Sequence, residues 1–301
     1  YCMSEDMTFL PRAQLLTLED FARLGRVFAG LGVSKIRVTG GEPLARSNVI
    51  SLFRDLGRME GVGDLTLTTN GTRLARFAAP LRDAGVDRIN ISLDTLRADR
   101  FERLARVDAF DRVMAGIDAA RAAGFSRVKI NSVILRRHNE DEVLPLARFA
   151  LERGMDISFI EEMPVGIIDG RDRADAYYSS HRILDDLAAA YELAPATATT
   201  AGPSRYYEVA GHSGRIGLIS PHSHNFCHLC NRVRLTVEGR LLLCLGNEHS
   251  MDLRQLLRAQ DFSDDKLRQA ISAAMDLKPE KHHFDLGAEP EILRFMNMTG
   301  G

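Results

Sequence analysis

Lysine is scarce in this chain, supplying 5 of 39 basic residues where arginine supplies 34. That bias is more often a codon-usage habit than chemistry and carries little weight. A surplus of charge is also missing. A net charge of −2 and a pI near 6.6 give no signature of a nucleic-acid or membrane partner. No apolar run approaches the roughly 20 residues that cross a bilayer, and no basic-then-apolar leader opens the sequence. Cysteine is limited to Cys2, Cys227, Cys230 and Cys244, too few and too uneven for a disulfide framework. Thiols so placed point to metal or catalysis in a reducing compartment, with the cytoplasm expected.

What is present is an ordinary core-forming composition, 45% hydrophobic and 27% charged over 301 residues, enough for one large α/β domain or two smaller ones. Short β-branched runs alternate with longer amphipathic stretches. The runs are SKIRVTG (34–40), DLTLTTN (64–70), DRINISLD (87–94), RVKINSVIL (127–135) and DISFIE (156–161). Helical patterns cover 17–32, 110–124 and 139–154, with Thr17 as N-cap of the first and a glycine closing each. Strand, helix and strand at this pace predict right-handed βαβ units and a parallel sheet.

Parallel strands covered on both faces read as continuous apolar runs, and these alternate instead. Ile36 and Val38 interleave with Arg37 and Thr39, Leu65 and Leu67 with Thr66 and Thr68, Ile89 and Ile91 with Asn90 and Ser92. One face then packs on helices while the other is polar. On five or six parallel strands this predicts an open barrel around a polar ligand. From about Leu193 to Pro203 the composition predicts a loop or linker. Beyond it, RIGLIS (215–220) reads as a strand, and RVRLTV and RLLLCL flank a hairpin turn at Glu238-Gly239. Two short helical patterns follow, around 251–259 and 263–276.

That hairpin is expected to return Cys244 alongside the Cys227/Cys230 turn, so the three thiolates can converge. Thiolates select zinc, copper or iron–sulfur clusters, and the spacing fits zinc and an iron–sulfur cluster equally. His222, His224, His228 and His249 are nearby candidates for a fourth ligand. Arg232 and Arg234, read as sharing one strand face beside the thiolates, tilt the balance, because they suit a phosphate or carboxylate and a structural zinc site has no use for them. Arg37 and Lys129, with Thr68, Ser92 and Asn131, read as an anion-binding lumen. TGGEP (39–43) brings flexible backbone and the Glu42 carboxylate to the first strand's end, although alone it is most often a tight turn.

Together these residues resemble a known family. Tyr-Cys-Met at 1–3, TGGEP, LTTNG (67–71), ISLD (91–94), KINSV (129–133), EEMP (161–164), CxxCNRxRLT from Cys227 and a terminal Gly300-Gly301 occur in order. The sequence is similar to the GTP 3′,8-cyclase family of radical S-adenosylmethionine (SAM) enzymes, which open molybdenum-cofactor biosynthesis. The resemblance implies a partial, open (βα)₆ TIM-type barrel over 1–195, lacking its first strand and part of its cluster loop. It implies a C-terminal GTP- and auxiliary-cluster-binding region over 196–301. It also implies two 4Fe-4S clusters: Cys2 matches one ligand of the first, and Cys227, Cys230 and Cys244 match the ligands of the second, whose fourth iron stays open for guanine. Tyr1, Gly41, Ser92 and Met163 match SAM-contacting positions. Arg37, Thr68, Lys129, Arg232, Val233 and Arg234 match GTP-binding ones.

The activity so implied is conversion of GTP to (8S)-3′,8-cyclo-7,8-dihydroguanosine 5′-triphosphate by a radical generated on SAM, with the diglycine tail reaching toward the active site. The implied partners are GTP, SAM, a flavodoxin- or ferredoxin-type electron donor, the downstream cyclic pyranopterin-forming enzyme and, as an open option, a second copy of the chain. Two cysteines of the first-cluster loop and an upstream arginine do not occur. This reads as a start inside the motif, and the chain as written is expected not to cleave SAM. The alternatives are another radical SAM enzyme with an auxiliary cluster, such as a peptide-modifying one, or a zinc-ribbon module on a metabolite-binding barrel.

Overall fold

The computed structural model describes residues 10–166, 173–197, 202–282, 284–286 and 292–299. Tyr1, Cys2 and the Gly300-Gly301 tail lie outside them. The expected strands form as β1 (Lys35–Val38), β2 (Asp64–Thr69), β3 (Arg88–Ser92), β4 (Arg127–Val133) and β5 (Asp156–Ile160), each paired in parallel with the next. Later in the chain come β6 (Leu193–Pro195), β7 (Arg205–Val209) and β8 (Arg215–Ile219). β8 pairs in parallel with β5, and β7 and β6 follow antiparallel, giving the order β1-β2-β3-β4-β5-β8-β7-β6. Six parallel strands in an open sheet match the alternation argument.

The stretch 193–203, expected as loop, is corrected at its start. Leu193, Ala194 and Pro195 pair with Val209, Glu208 and Tyr207. Pro195 is tolerated because β6 is the edge strand, where a missing N–H breaks no inner ladder. The sheet therefore runs on past residue 195.

Helices cover the sheet's apolar face: α1 (Leu18–Gly30), α2 (Val49–Gly57), α3 (Leu74–Asp83), α4 (Ala98–Ala105), α5 (Phe110–Ala122), α6 (Val143–Glu152), α7 (Arg173–Ala176) and α8 (Ser180–Ala188). Thr17 caps α1 as expected. Its hydroxyl accepts the Asp20 amide at 3.1 Å while the Asp20 carboxylate accepts the Thr17 amide at 2.9 Å. The glycines expected to close three of these helices, Gly32, Gly124 and Gly154, have φ of +91°, +73° and +67°, open to glycine at little cost. Leu67, Ile89, Ile91, Ile130, Ile157, Phe159 and Ile216 are fully buried under the helices. Their neighbours one residue along face the other way, so the pleat itself makes the lumen polar.

The C-terminal region adds β9 (Arg234–Leu235), β10 (Arg240–Leu242), β11 (Ser250–Asp252), α9 (Leu253–Leu257) and α10 (Asp264–Met275). The hairpin turns where expected. Gly239, at φ +87°, donates to the Thr236 carbonyl at 3.0 Å, and a Cβ there would lie 2.8 Å from that of Arg254. A second core joins this region to the first helix: Leu241, Leu243, Leu253, Leu267 and Ile271 pack with Leu16, Leu24 and Val27. The Arg23–Asp264 pair at 2.9 Å and the Arg258–Asp20 pair at 2.5 Å flank it.

Candidate functional site

The lumen begins with a charged ring. Each parallel strand starts on a charged, inward-facing residue: Lys35, Asp64, Arg88, Arg127, Asp156 and Arg215. Asp64 pairs with Lys35 at 3.0 Å and with Arg88, and Asp156 pairs with Arg215 at 2.9 Å and Arg127 at 3.3 Å. Burial alone would raise the Asp64 carboxyl, but the bonds from Arg88 and Lys35 bring it below its ordinary value.

Above the ring, charge is balanced differently. Lys129 is 9% exposed, with its Nζ 3.5 Å from the Tyr206 hydroxyl. Burial, then repulsion from Arg37, lowers its ammonium to about 7. Arg37 is open to the lumen, yet the protein around it lowers its affinity for a proton, with Arg88 adding to the effect. Arg234 is held down to about 10 by burial and then by Arg232 and Arg37. Cations depressing one another inside a low-dielectric chamber make a site that gains from an anion. Asn131, two residues along β4 from Lys129, adds a buried side-chain oxygen with no hydrogen-bond partner, an acceptor in want of a donor.

The cavity has an empty volume of ≈ 1290 Å³, including the space open at its mouth. Arg37, Lys129, Met163, Arg232, Val233, Arg234, Cys227, Cys230 and Cys244 all line it. Gly41, Thr68 and Ser92 are not among its wall residues. Thr68 is 7% exposed and its hydroxyl accepts from Asn90, a wall residue, at 3.3 Å. Gly41 and the exposed Ser92 lie at the C-terminal ends of β1 and β3, as Met163 lies beyond β5, the edge where parallel α/β sheets build their sites. A Cβ at Gly41 would meet nothing within 4 Å, so the loop is open to a ligand. The Glu42 carboxylate has internal work instead, accepting from the Leu44 amide at 2.9 Å, the Asn70 amide at 2.8 Å and the Thr69 hydroxyl at 2.9 Å. Burial pushes its carboxyl above the ordinary range in spite of those bonds.

All three C-terminal cysteines are free, half-buried and on the cavity wall. Burial raises the Cys230 thiol, but the Arg232 amide and the charges of Arg232 and Lys278 outweigh it, and the net affinity is lowered. That donor set, three thiols on one wall with cations behind, fits an iron–sulfur cluster, whose ligands bind separate irons. Among the described residues no three His, Cys, Asp or Glu side chains gather around a single ion. Arg232 lies ahead of β9, so the shared strand face expected for it and Arg234 is replaced by a loop residue and a strand residue meeting at the same cavity. Arg232 lies over the Phe226 ring, 5.2 Å from its centroid, and 3.6 Å from the Cys230 sulfur. Among the described residues, none of the histidines considered as a fourth ligand hydrogen-bonds to a cysteine. His282, which sequence reasoning passed over, does, with Nδ1 2.9 Å from the Cys227 sulfur. Tyr206 and the paired ring were also missed. The ring had a signal in the charged first residue of each strand.

Two family models cover most of the chain: the Radical SAM superfamily over residues 1–150 and Molybdenum Cofactor Synthesis C over residues 155–284. A GTP 3′,8-cyclase of Saccharophagus degradans is 56% identical over the whole of this chain and 91% of its own length, and one of Marinobacter nauticus is 54% identical with the same coverage. The chain belongs to the GTP 3′,8-cyclase family. Membership gives the cation-lined lumen and the cysteine wall a common setting. Streptococcus suis SuiB shares the fold, at 15% identity with a TM-score of 0.56 over 80% of this chain and 57% of that one. Its SAM-bound structure matches at 14% identity and a TM-score of 0.54 over 98% of this chain and 72% of that one. Among the described residues no helix is long and apolar enough to cross a membrane.

Proposed function

We propose that this protein is a radical SAM enzyme converting GTP to (8S)-3′,8-cyclo-7,8-dihydroguanosine 5′-triphosphate, the first step of molybdenum cofactor biosynthesis. The observation that carries the reading is one cavity in which Arg37, Lys129, Arg232 and Arg234 stand with Cys227, Cys230 and Cys244. When bound, SAM and its cluster supply the hydrogen-abstracting radical, and the second cluster supplies an open coordination position for guanine. The chain's own residues do the rest. Cys227, Cys230 and Cys244 would hold the second cluster. Arg37, Lys129, Arg232 and Arg234 would neutralise the triphosphate, with Thr68 and the Val233 backbone completing the GTP contacts. Tyr1, Gly41, Ser92 and Met163 would face SAM. Cavity walls position the ribose and exclude water, which supplies much of the rate in such chemistry.

The SAM-facing positions all precede residue 195 and the cluster wall follows it, so 1–195 and 196–301 serve as working divisions. The same reading carries a flavodoxin- or ferredoxin-type electron donor, hand-off to a cyclic pyranopterin-forming enzyme and a cytoplasmic setting.

Anaerobic reconstitution should load iron and sulfide in preference to zinc. Arg232→Ala and Arg234→Ala should weaken GTP binding about tenfold or more, the value of a charge-assisted contact, while iron is retained. Unchanged affinity in both variants overturns the assignment. Supplying the two further loop cysteines should yield cyclised GTP with SAM and reductant, and no product there favours a peptide-modifying relative.

A further inference from the structure

The stretch LKPEKH, 277–282, takes no part in the function so far, yet it touches both cysteine-bearing stretches of chain. Lys278 donates to the carbonyl of Arg232 at 2.9 Å and to that of Leu243, and its Nζ lies 4.0 Å from the Cys230 sulfur. Arg232 is two residues from Cys230, and Leu243 adjoins Cys244, so one ammonium ties the two hairpin arms together. Four residues on, His282 reaches the third thiol twice. Its backbone N–H points at the Cys227 sulfur at 3.4 Å and its ring Nδ1 is 2.9 Å from the same atom. The ring is fixed on its other side, with Nε2 3.1 Å from the Pro221 carbonyl oxygen and its face tilted on Phe284 at 4.3 Å between centroids. The Lys278 amide bonds back to the Met275 carbonyl at 3.1 Å, at the end of α10. That helix is seated in the second core by Leu267 and Ile271, so the segment stands on a rigid base.

We propose that Lys278 and His282 form a positioning clamp for the three-cysteine wall, setting how firmly it holds its cluster and at what potential. The proposal rests on the reading that these cysteines hold an iron–sulfur cluster. Hydrogen bonds to ligating sulfur and a fixed nearby charge are the protein's main controls over cluster stability and reduction potential. Lys278 lies outside the cavity lining and His282 is on it, and both act through the ligating sulfurs, as positioning residues.

The test uses the whole chain in a Cys2→Ser background, where the only cysteines left are the three on the wall. Lys278→Met and His282→Ala should lose iron to a chelator about 10- to 100-fold faster than the parent, the usual cost of removing an outer-sphere partner. Lys278→Met should also shift the cluster's potential downward, because a positive charge that favours the reduced form is gone. Lys278→Arg and His282→Asn, which restore a donor, should recover most of the chelator resistance. A purely structural role would lower the melting temperature without moving the potential. Iron-loaded variants with the parent's chelator resistance and potential would overturn the clamp alone. A parent protein that holds zinc and no iron would overturn the cluster reading beneath it.

Discussion

The lower and upper levels of the lumen are built from the same strands by the same pleat, yet they treat charge in opposite ways. At the strand starts, Asp64 and Asp156 each bridge two cations. Two residues further along, none of these strands carries a carboxylate, and Arg37 and Lys129 face other cations, Asn90, Asn131 and Tyr206, with Asp64 and Asp156 offsetting only part of the repulsion. A buried ion pair serves the fold, because each partner covers the other's desolvation. A chamber of cations depressing one another serves something that arrives from outside. The difference separates residues that stabilise the barrel from residues that wait for an anion, and it is open to direct test.

Breaking the lower level should have the largest effect. Asp156→Asn leaves Arg215, 14% exposed in its side chain, without its carboxylate, and removal of one partner from a buried pair costs about 3 kcal/mol or more. Chemical denaturation should show that loss, with affinity for inorganic tripolyphosphate changed far less. A loss under 1 kcal/mol would dissolve the distinction between the levels.

Lys129→Met should do the reverse, keeping or raising stability while weakening tripolyphosphate about tenfold or more. The pH dependence follows from its lowered affinity, about 7 folded against 10.5 for a free lysine. Between those values the unfolded chain holds a proton that the folded chain has released, so stability rises with pH across that window. Anion binding takes the proton back, so tripolyphosphate affinity should fall above pH 7 by up to about tenfold per unit. Titration calorimetry on the variant should give a nearly flat profile, and an equal slope in both proteins would exclude Lys129 as the group responsible.

Much of this was legible in the chain. Alternation in SKIRVTG, DLTLTTN and DRINISLD gave a polar lumen, Thr17 gave the cap of α1, and Glu238-Gly239 gave the hairpin that brings Cys244 back. What stayed hidden depended on partners distant in sequence. β6 looks like linker because its three residues, ending in Pro195, have weak strand propensity, and pairing with β7 decides the matter. Lys278 and His282 meet their cysteines across 48 and 55 residues, from a stretch with no periodicity to read. Arg232 reaches the cavity from a loop, where the strand rule of alternating faces does not apply.

The smallest expected effect falls on Thr68, and it sharpens the boundary between wall and scaffold. Family resemblance puts Thr68 among the GTP contacts, yet its hydroxyl is engaged by the Asn90 side chain and it is not a wall residue of the cavity. Thr68→Val keeps the shape and removes that one bond, so Asn90 can turn toward the lumen and find another partner. A net hydrogen bond is worth roughly 1 kcal/mol, and the part felt by GTP should be no more than a few-fold in Kd. A loss above tenfold in equilibrium binding would mean that the hydroxyl itself reaches the nucleotide, and Thr68 would then belong with Lys129 in the proposed GTP site.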